Sequence, residues 1–454
     1  MLQRLFNAFK PAVRPVSRPA DGAPDPAVDI AHGLVLGGQS SAARGVLERR
    51  LSTNPDDADA LALQGWVLFD LGESDQARAV LSRALQLAPG HVEALNTLGA
   101  LDADDPDPNL SVRWFRAALK SDPGNLGAQY NLAQKLFFLG EYEEGFRQLR
   151  ARHYLHFKRD NPLEPMPMWQ GENLAGKTAF VWCDWGGLGD HLQFVRYLSL
   201  LRQRAAPARL VLGARAECAR LFAALPWVDE IVAPGMVPAA DVHCPLLDLP
   251  FWFNTTLGNM PARDSYLCAS QVLATQWRGW LAAHGLPPSG LRVGIVSGND
   301  QRSGSGAHER VRLAKSVPAD QFAALAASGA VFVNLQPGVP KSDLSAFGVP
   351  VIDAASDIAD FADTAAIMTQ LDLIVTADTS AAHLAGAMGK PVWLLLRYAS
   401  GMFWLNHRQD SPWYGSMRIF RQDAPGNWHS ALACAGALLL EHAAGKPNWL
   451  NSNL

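Results

Sequence analysis

The sequence predicts an α-helical solenoid followed by a larger α/β region. Three observations predict it. The first third of the chain resembles itself at an offset of 34 residues. A proline-rich stretch at Asn161–Trp169 (NPLEPMPMW) then marks a boundary, after which the apolar period shortens from helical to strand-like. Beyond it, short runs rich in β-branched and other apolar residues alternate with helix-forming runs, as in parallel sheets covered by helices. The chain has 454 residues, too many for one core, so two or three domains are expected. With 48% hydrophobic and 18% charged residues it reads as globular, and a formal charge of −4 gives no general affinity for nucleic acid. Five scattered cysteines (Cys183, Cys218, Cys244, Cys268, Cys434) have no C-x-x-C spacing, which argues against a zinc site or a disulfide framework and fits a reducing cytoplasm.

Residues 1–23 read as a disordered basic tail broken by prolines, with no apolar segment of signal length. No run approaches the ~18 apolar residues of a membrane span. From residue 24 to 160 the repeats take over. Pro55, Pro89 and Pro123 share one phase, as do Gly65 and Gly99, Ala43 and Ala77, and Leu47, Leu81 and Phe115. Small residues where paired helices touch, apolar residues between them and Pro at each unit boundary make this the tetratricopeptide (TPR) pattern. Three repeats fall at roughly 24–57, 58–91 and 92–125, and a less regular pair follows from Leu126 to about Phe157, turning at Gly140. The third repeat is unusual at its turn, where DADDPDPN replaces a short glycine turn. Each repeat buries its apolar face only against its neighbours, so the array forms a short solenoid. Its concave face suits a polypeptide partner; a dimerisation platform or a rigid spacer is the other reading.

Residues 170–285 read as a first α/β half. Thr178–Cys183 is its opening strand, and DWGGLGDHLQFVRYLSLLRQR turns from it into a helix. Gly186, Gly187 and Gly189 allow close approach of the backbone to a ligand, and Asp190 stands at the helix start, at the carboxyl end of the strand. A helix-capping carboxylate is the alternative role for Asp190. The turn lacks the G-x-G-x-x-G spacing of dinucleotide sites.

Residues 286–430 read as a second half, opened by the strand Leu291–Ser297, and 431–454 as a C-terminal helix and tail. A loop (DQRSGSGAHERVR) leads to Lys315-Ser316-Val317-Pro318, and a strand from Val331 ends at Gln336. The stretch Leu371–Leu396 reads as strand, turn, helix, turn, strand. Asp378, Thr379 and Ser380 are cap-type residues before a helical run that ends at Gly389 and Pro391. Polar side chains and free amides at a helix start serve as an ordinary cap or as an anion site. His383, four residues after Thr379, lies on the same helix side.

Two of these segments carry a resemblance. D-T-S-x-x-H-L-A-G-A-x-G-K-P from Asp378 and G-x-G-D-x-x-Q-F from Gly187 resemble motifs of the heptosyltransferase-like and TPR-linked glycosyltransferases of GT-B fold, a bacterial group, and the likeness runs over about 170–430. The resemblance implies two Rossmann-like halves facing a cleft. It also implies Asp190 as general base and a nucleotide-sugar site formed by Gly187, Gly189, Lys315, Ser316, Gln336, Asp378, Thr379, Ser380 and His383. Lys315, otherwise a solvated loop lysine, would then neutralise a departing phosphate without a metal. The implied reaction inverts the anomeric carbon and uses no cofactor, the nucleotide-sugar being a substrate. The last helix is expected to cross back to the first half. His191 replaces the family's small residue after the Asp, and Ser297-Gly298-Asn299 replaces its Trp-x-Gly-Asn. A TPR array fused to such a cleft points to Ser/Thr of a recruited protein as acceptor, flagellin being one candidate. A lipopolysaccharide or other glycan acceptor, or a catalytically silent TPR adaptor, are the competing readings.

Overall fold

The computed structural model describes residues 26–443 apart from 106, 153–162, 164–165, 184–185, 262–263, 299–312, 340–343, 399–401 and 407. The tail 1–23, Pro162 and Pro165 of the linker, Asn299 with the loop after it, and the tail beyond 443 lie outside the described residues. Two compact units divide the described residues near residue 160.

The first unit is built of antiparallel helix pairs: α1 (Pro26–Leu36) with α2 (Ser40–Thr53), α3 (Ala58–Leu71) with α4 (Ser74–Leu87), α5 (Val92–Leu101) with α6 (Pro108–Ser121), and α7 (Leu126–Leu139) with α8 (Tyr142–Leu149). The shared phase has a direct physical cause. A Cβ on Gly65 would lie 2.4 Å from the Leu81 side chain, and one on Gly99 would lie 2.4 Å from the Phe115 ring. Those pairs sit at the same phase because each is a crossing too close for a larger side chain than glycine. Gly72 and Gly140 end α3 and α7 in the left-handed conformation, with φ of 88° and 84°. The unusual turn after α5 is held by buried Asp102, which accepts the Trp114 indole N–H at 2.8 Å and pairs with Arg78. Asp107 then caps α6 by accepting the Asn109 amide at 3.0 Å, with Pro108 at the first helical position.

The second unit holds two parallel sheets. The first has strands β1 (Thr178–Trp182), β2 (Arg209–Gly213), β3 (Glu230–Val232) and β4 (Val242–Pro245) in the order β3-β2-β1-β4. The second has β5 (Arg292–Val296), β6 (Val331–Asn334), β7 (Val351–Asp353), β8 (Leu373–Ala377), β9 (Val392–Leu396) and β10 (Met417–Arg421) in the order β10-β9-β8-β5-β6-β7. Every pairing between these strands is parallel. Counted within its own sheet, the second runs 6-5-4-1-2-3, the doubly wound Rossmann order, and the first sheet follows the same order as far as its fourth strand. Both sheets therefore change winding direction at one place, between β1 and β4 and between β5 and β8. At such switch points the crevice beyond the strand carboxyl ends receives ligands.

The strands β8 and β9 are buried along their whole length, which explains why they read as unbroken apolar runs. The helix α15 (His429–Ala443) corrects one expectation. Its Ala431, Leu432, Ala435, Leu438 and Leu439 share a core with Val293, Ile295, Phe332 and Trp393, so it packs on the second sheet. The apolar spacing of that helix matches the face of its own half, and Gly436 lets it lie against the Ala324 carbonyl. Among the described residues no helix is long and apolar enough to cross a membrane, and the five cysteines are unbridged.

Candidate functional site

The site is assembled at the two switch points by helices α9 (Leu188–Phe194) and α14 (Ser380–Ala387), which pack against each other. Thr379 is the N-cap of α14. Its hydroxyl accepts the Ala381 amide at 3.3 Å and lies 3.1 Å from the Thr376 hydroxyl. Ser380 is the first helical residue, so the polar turn is a working cap that also leaves backbone N–H groups at the carboxyl end of β8.

Asp378 precedes that cap. One carboxylate oxygen accepts the Trp404 indole N–H at 2.8 Å, and the other lies 3.0 Å from the Lys315 ammonium. Burial opposes ionisation of Asp378, but the Lys315 charge and the Trp404 hydrogen bond hold its carboxyl below the ordinary value. Its side chain is 11% exposed and that of Lys315 30%. The lysine is thus drawn to the start of α14 rather than left in solvent. Ser316 lies beside it, and a Cβ on Gly298 would fall 2.3 Å from the Ser316 hydroxyl oxygen. Gln336 closes this side: its amide oxygen accepts the Gly298 N–H at 2.9 Å and the Ser297 hydroxyl at 3.1 Å. The Ser297-Gly298 departure therefore makes a compact turn, in which the close approach of Ser316 requires the glycine.

His383 is 8% exposed and held on three sides. Its Nδ1 lies 3.0 Å from the Tyr414 hydroxyl, and its ring stacks on Trp404 with centroids 4.9 Å apart. The third side is Gly189 of α9, where a Cβ would meet the His383 ring at 2.6 Å. Gly189, expected to make room for a ligand, makes room for this histidine. Burial lowers the His383 pKa to about 4, against the pull of Asp378 in the other direction, with Arg196 and Lys315 adding to the fall. Below pH 6.5 the unfolded chain takes up a proton that folded His383 refuses until about pH 4. Stability is therefore lost as pH falls through that window, by about 3 kcal/mol at its lower end. Urea unfolding of the His383→Gln protein should show a flatter decline between pH 7 and pH 4.5 than wild type. Equal declines would show that His383 is not the group responsible.

Asp190 is the third residue of α9 and reaches back, its carboxylate accepting the Gly187 N–H at 2.6 Å. It stabilises the helix start as the capping alternative requires, but from inside the helix rather than from the N-cap position. The structure thus brings Lys315, Ser316, Asp378, Thr379, Ser380 and His383 to the carboxyl edge of the second sheet, and places Gly187, Gly189 and Asp190 on the helix that meets it. Gln336 supports the adjoining Ser297-Gly298 turn.

Sequence reasoning missed Arg196 and Tyr266. Arg196 is completely buried and donates to the Gln193 and Trp413 carbonyls, each at 2.9 Å, and to the Tyr266 hydroxyl at 2.8 Å. One signal was available: a charge inside the apolar run Leu192–Leu201 is exposed or specifically held.

Residues 28–92 match the family model for tetratricopeptide repeats. Over 431 residues the chain is 25% identical to Protein FlbA of Caulobacter vibrioides, covering 88% of this chain and 70% of that one. Among solved structures, a glycosyl transferase family 9 protein from Veillonella parvula aligns at 13% identity with a TM-score of 0.44, over 59% of this chain and 97% of its own. An O-GlcNAc transferase mutant from Thermobaculum terrenum aligns at 16% identity and a TM-score of 0.33, over 93% and 92%. By its own repeats and sheet topology, the chain joins a tetratricopeptide-repeat array to a GT-B-like domain of two parallel sheets.

Proposed function

We propose that the protein is a glycosyltransferase that moves a sugar from a nucleotide-activated donor to a hydroxyl acceptor. The observation that carries this reading is the Lys315–Asp378 pair at the capped start of α14, the helix that packs against the one bearing Asp190. A cation, a helix N-terminus and backbone amides converge there, which is the equipment that a leaving diphosphate needs. Lys315 exchanges its carboxylate partner for a donor phosphate, so the ion pair holds the ammonium in place beforehand.

In the proposed reaction the acceptor oxygen attacks the anomeric carbon from the side opposite the diphosphate. The C–O bond to phosphate breaks with its electron pair going to the nucleoside diphosphate, and Asp190 takes the acceptor proton. A single displacement of this kind inverts the carbon. Lys315 supplies the positive charge, so turnover in excess EDTA should equal turnover without it.

The acceptor is a Ser or Thr of a polypeptide held by the repeats, with flagellin as one candidate, in a reducing cytoplasm. The repeats favour a polypeptide because a solenoid of this length presents a continuous groove of repeated chemistry. A chain beginning at Asn161 should still bind the donor and slowly hydrolyse it, yet fail to glycosylate the polypeptide. Residues 24–157 alone should capture that polypeptide. Normal protein glycosylation by the shortened chain would overturn recruitment by the repeats, and transfer to a glycan alone would move the acceptor assignment to that class.

A further inference from the structure

Arg196 lies where three parts of the second unit meet. It follows α9 directly, and its Nε–H donates to the Gln193 carbonyl at the end of that helix. One terminal nitrogen donates to the carbonyl of Trp413, in the segment between β9 and β10, at 2.9 Å, and to that of Pro261 at 3.4 Å. The other donates at 2.8 Å to the hydroxyl of Tyr266, which in turn donates to the Leu192 carbonyl at 2.8 Å. The guanidinium also lies over the rings of Tyr266, Tyr414 and Trp413, 4.4, 4.8 and 5.4 Å from their centroids. Phe194, two residues earlier, packs edge-on against Phe403 and Trp413 of the second half.

These contacts have one common consequence. The arginine fastens the end of the helix that carries Asp190 to Trp413 and Tyr414. Tyr414 in turn holds Nδ1 of His383, and Gly386 permits its ring to lie against α14, where a Cβ would meet it at 2.5 Å. A planar, five-donor group suits this task because it bonds in several directions at once while stacking on rings. A lysine in its place has three donors on one nitrogen and no planar face, so it could make only some of the bonds and not the stack.

We propose that Arg196 is a positioning residue which, through Tyr414, fixes the tautomer and orientation of His383 and keeps it in register with Asp190 across the two halves. The proposal rests on the reading of His383 as a donor contact only in so far as it explains what the positioning is for. With Nδ1 engaged by Tyr414, the hydrogen bond fixed on that ring nitrogen decides whether Nε2 donates or accepts.

Nitrogen NMR of full-length protein labelled with ¹⁵N-histidine tests this, with the His383 signals assigned by their loss in His383→Gln. A single fixed tautomer has widely separated Nδ1 and Nε2 shifts; a ring exchanging between tautomers has averaged ones. Wild type should show separation at pH 7. Tyr414→Phe, which removes the hydroxyl that meets Nδ1, should shift the pair towards the average. Arg196→Met should do the same, and Arg196→Lys should restore part of the separation. Transfer should fall about 10²-fold in Arg196→Met, the scale expected for a small misplacement of reacting groups. Wild-type His383 shifts in Tyr414→Phe, or in folded Arg196→Met, would overturn the relay. If Arg196→Met does not fold, Tyr414→Phe and Arg196→Lys decide the matter. The shifts are read without donor or acceptor, so a protein that transfers no sugar would still reveal whether the relay exists.

Discussion

Asp190→Asn should reduce glycosyl transfer by about 10²–10⁴-fold while leaving the fold and donor binding intact, the range usual for removal of a general base. The Asp190 carboxylate also accepts the Gly187 amide, and the carbonyl oxygen of asparagine can accept the same bond. Capping is therefore kept and proton abstraction lost. Asp190→Ala removes both, so it should cost a further ~1 kcal/mol of stability that the asparagine does not. Steady-state transfer with saturating acceptor, paired with thermal unfolding of both variants, separates the two roles. Full transfer by the asparagine protein would leave Asp190 a helix residue and nothing more.

The second large effect is expected at Lys315. Lys315→Ala removes the cation proposed to face the departing phosphate, and a charged hydrogen bond at such a site is worth roughly 1.5–3 kcal/mol, or about 10–150-fold in donor affinity. It also leaves the Asp378 carboxylate without its ammonium partner, still holding the Trp404 indole. That unpaired charge repels the donor phosphates and adds to the loss. Pairing the change with Asp378→Asn therefore separates the terms, because the double variant lacks the repulsion and should recover part of the affinity. Calorimetric titration with the donor checks this. An unchanged affinity in Lys315→Ala would place the phosphates elsewhere.

Local chemistry was legible in the sequence where a single segment carried it. The 34-residue phase revealed the repeats because Gly65 against Leu81 and Gly99 against Phe115 are the same steric contact made twice. The cap at Thr379 and the sharp stop at Gly389, with its φ of 67°, were visible because both are set within a few residues. Contacts between distant segments were not. Arg196 meets Tyr266 and Trp413 across separations of 70 and 217 residues, and no periodicity links them. Gly189 was assigned to a ligand because glycine near a turn signals close approach without saying what approaches; the folded chain puts His383 there. The last helix shows the same limit from another direction. Its apolar face was plain, but which of two similar sheets it covers depends on tertiary packing.

Release of nucleoside diphosphate from a panel of nucleotide-sugars tests the central claim most directly. The full chain is incubated with uridine, guanosine, adenosine and cytidine sugar nucleotides, with and without a candidate polypeptide acceptor. At least one donor should be turned over, faster with acceptor present, with the sugar recovered on a Ser or Thr in the inverted configuration. Asp190→Asn should transfer the sugar of the same donor about 10²–10⁴-fold more slowly. Turnover of none of them, or equal transfer by wild type and Asp190→Asn, would contradict the account.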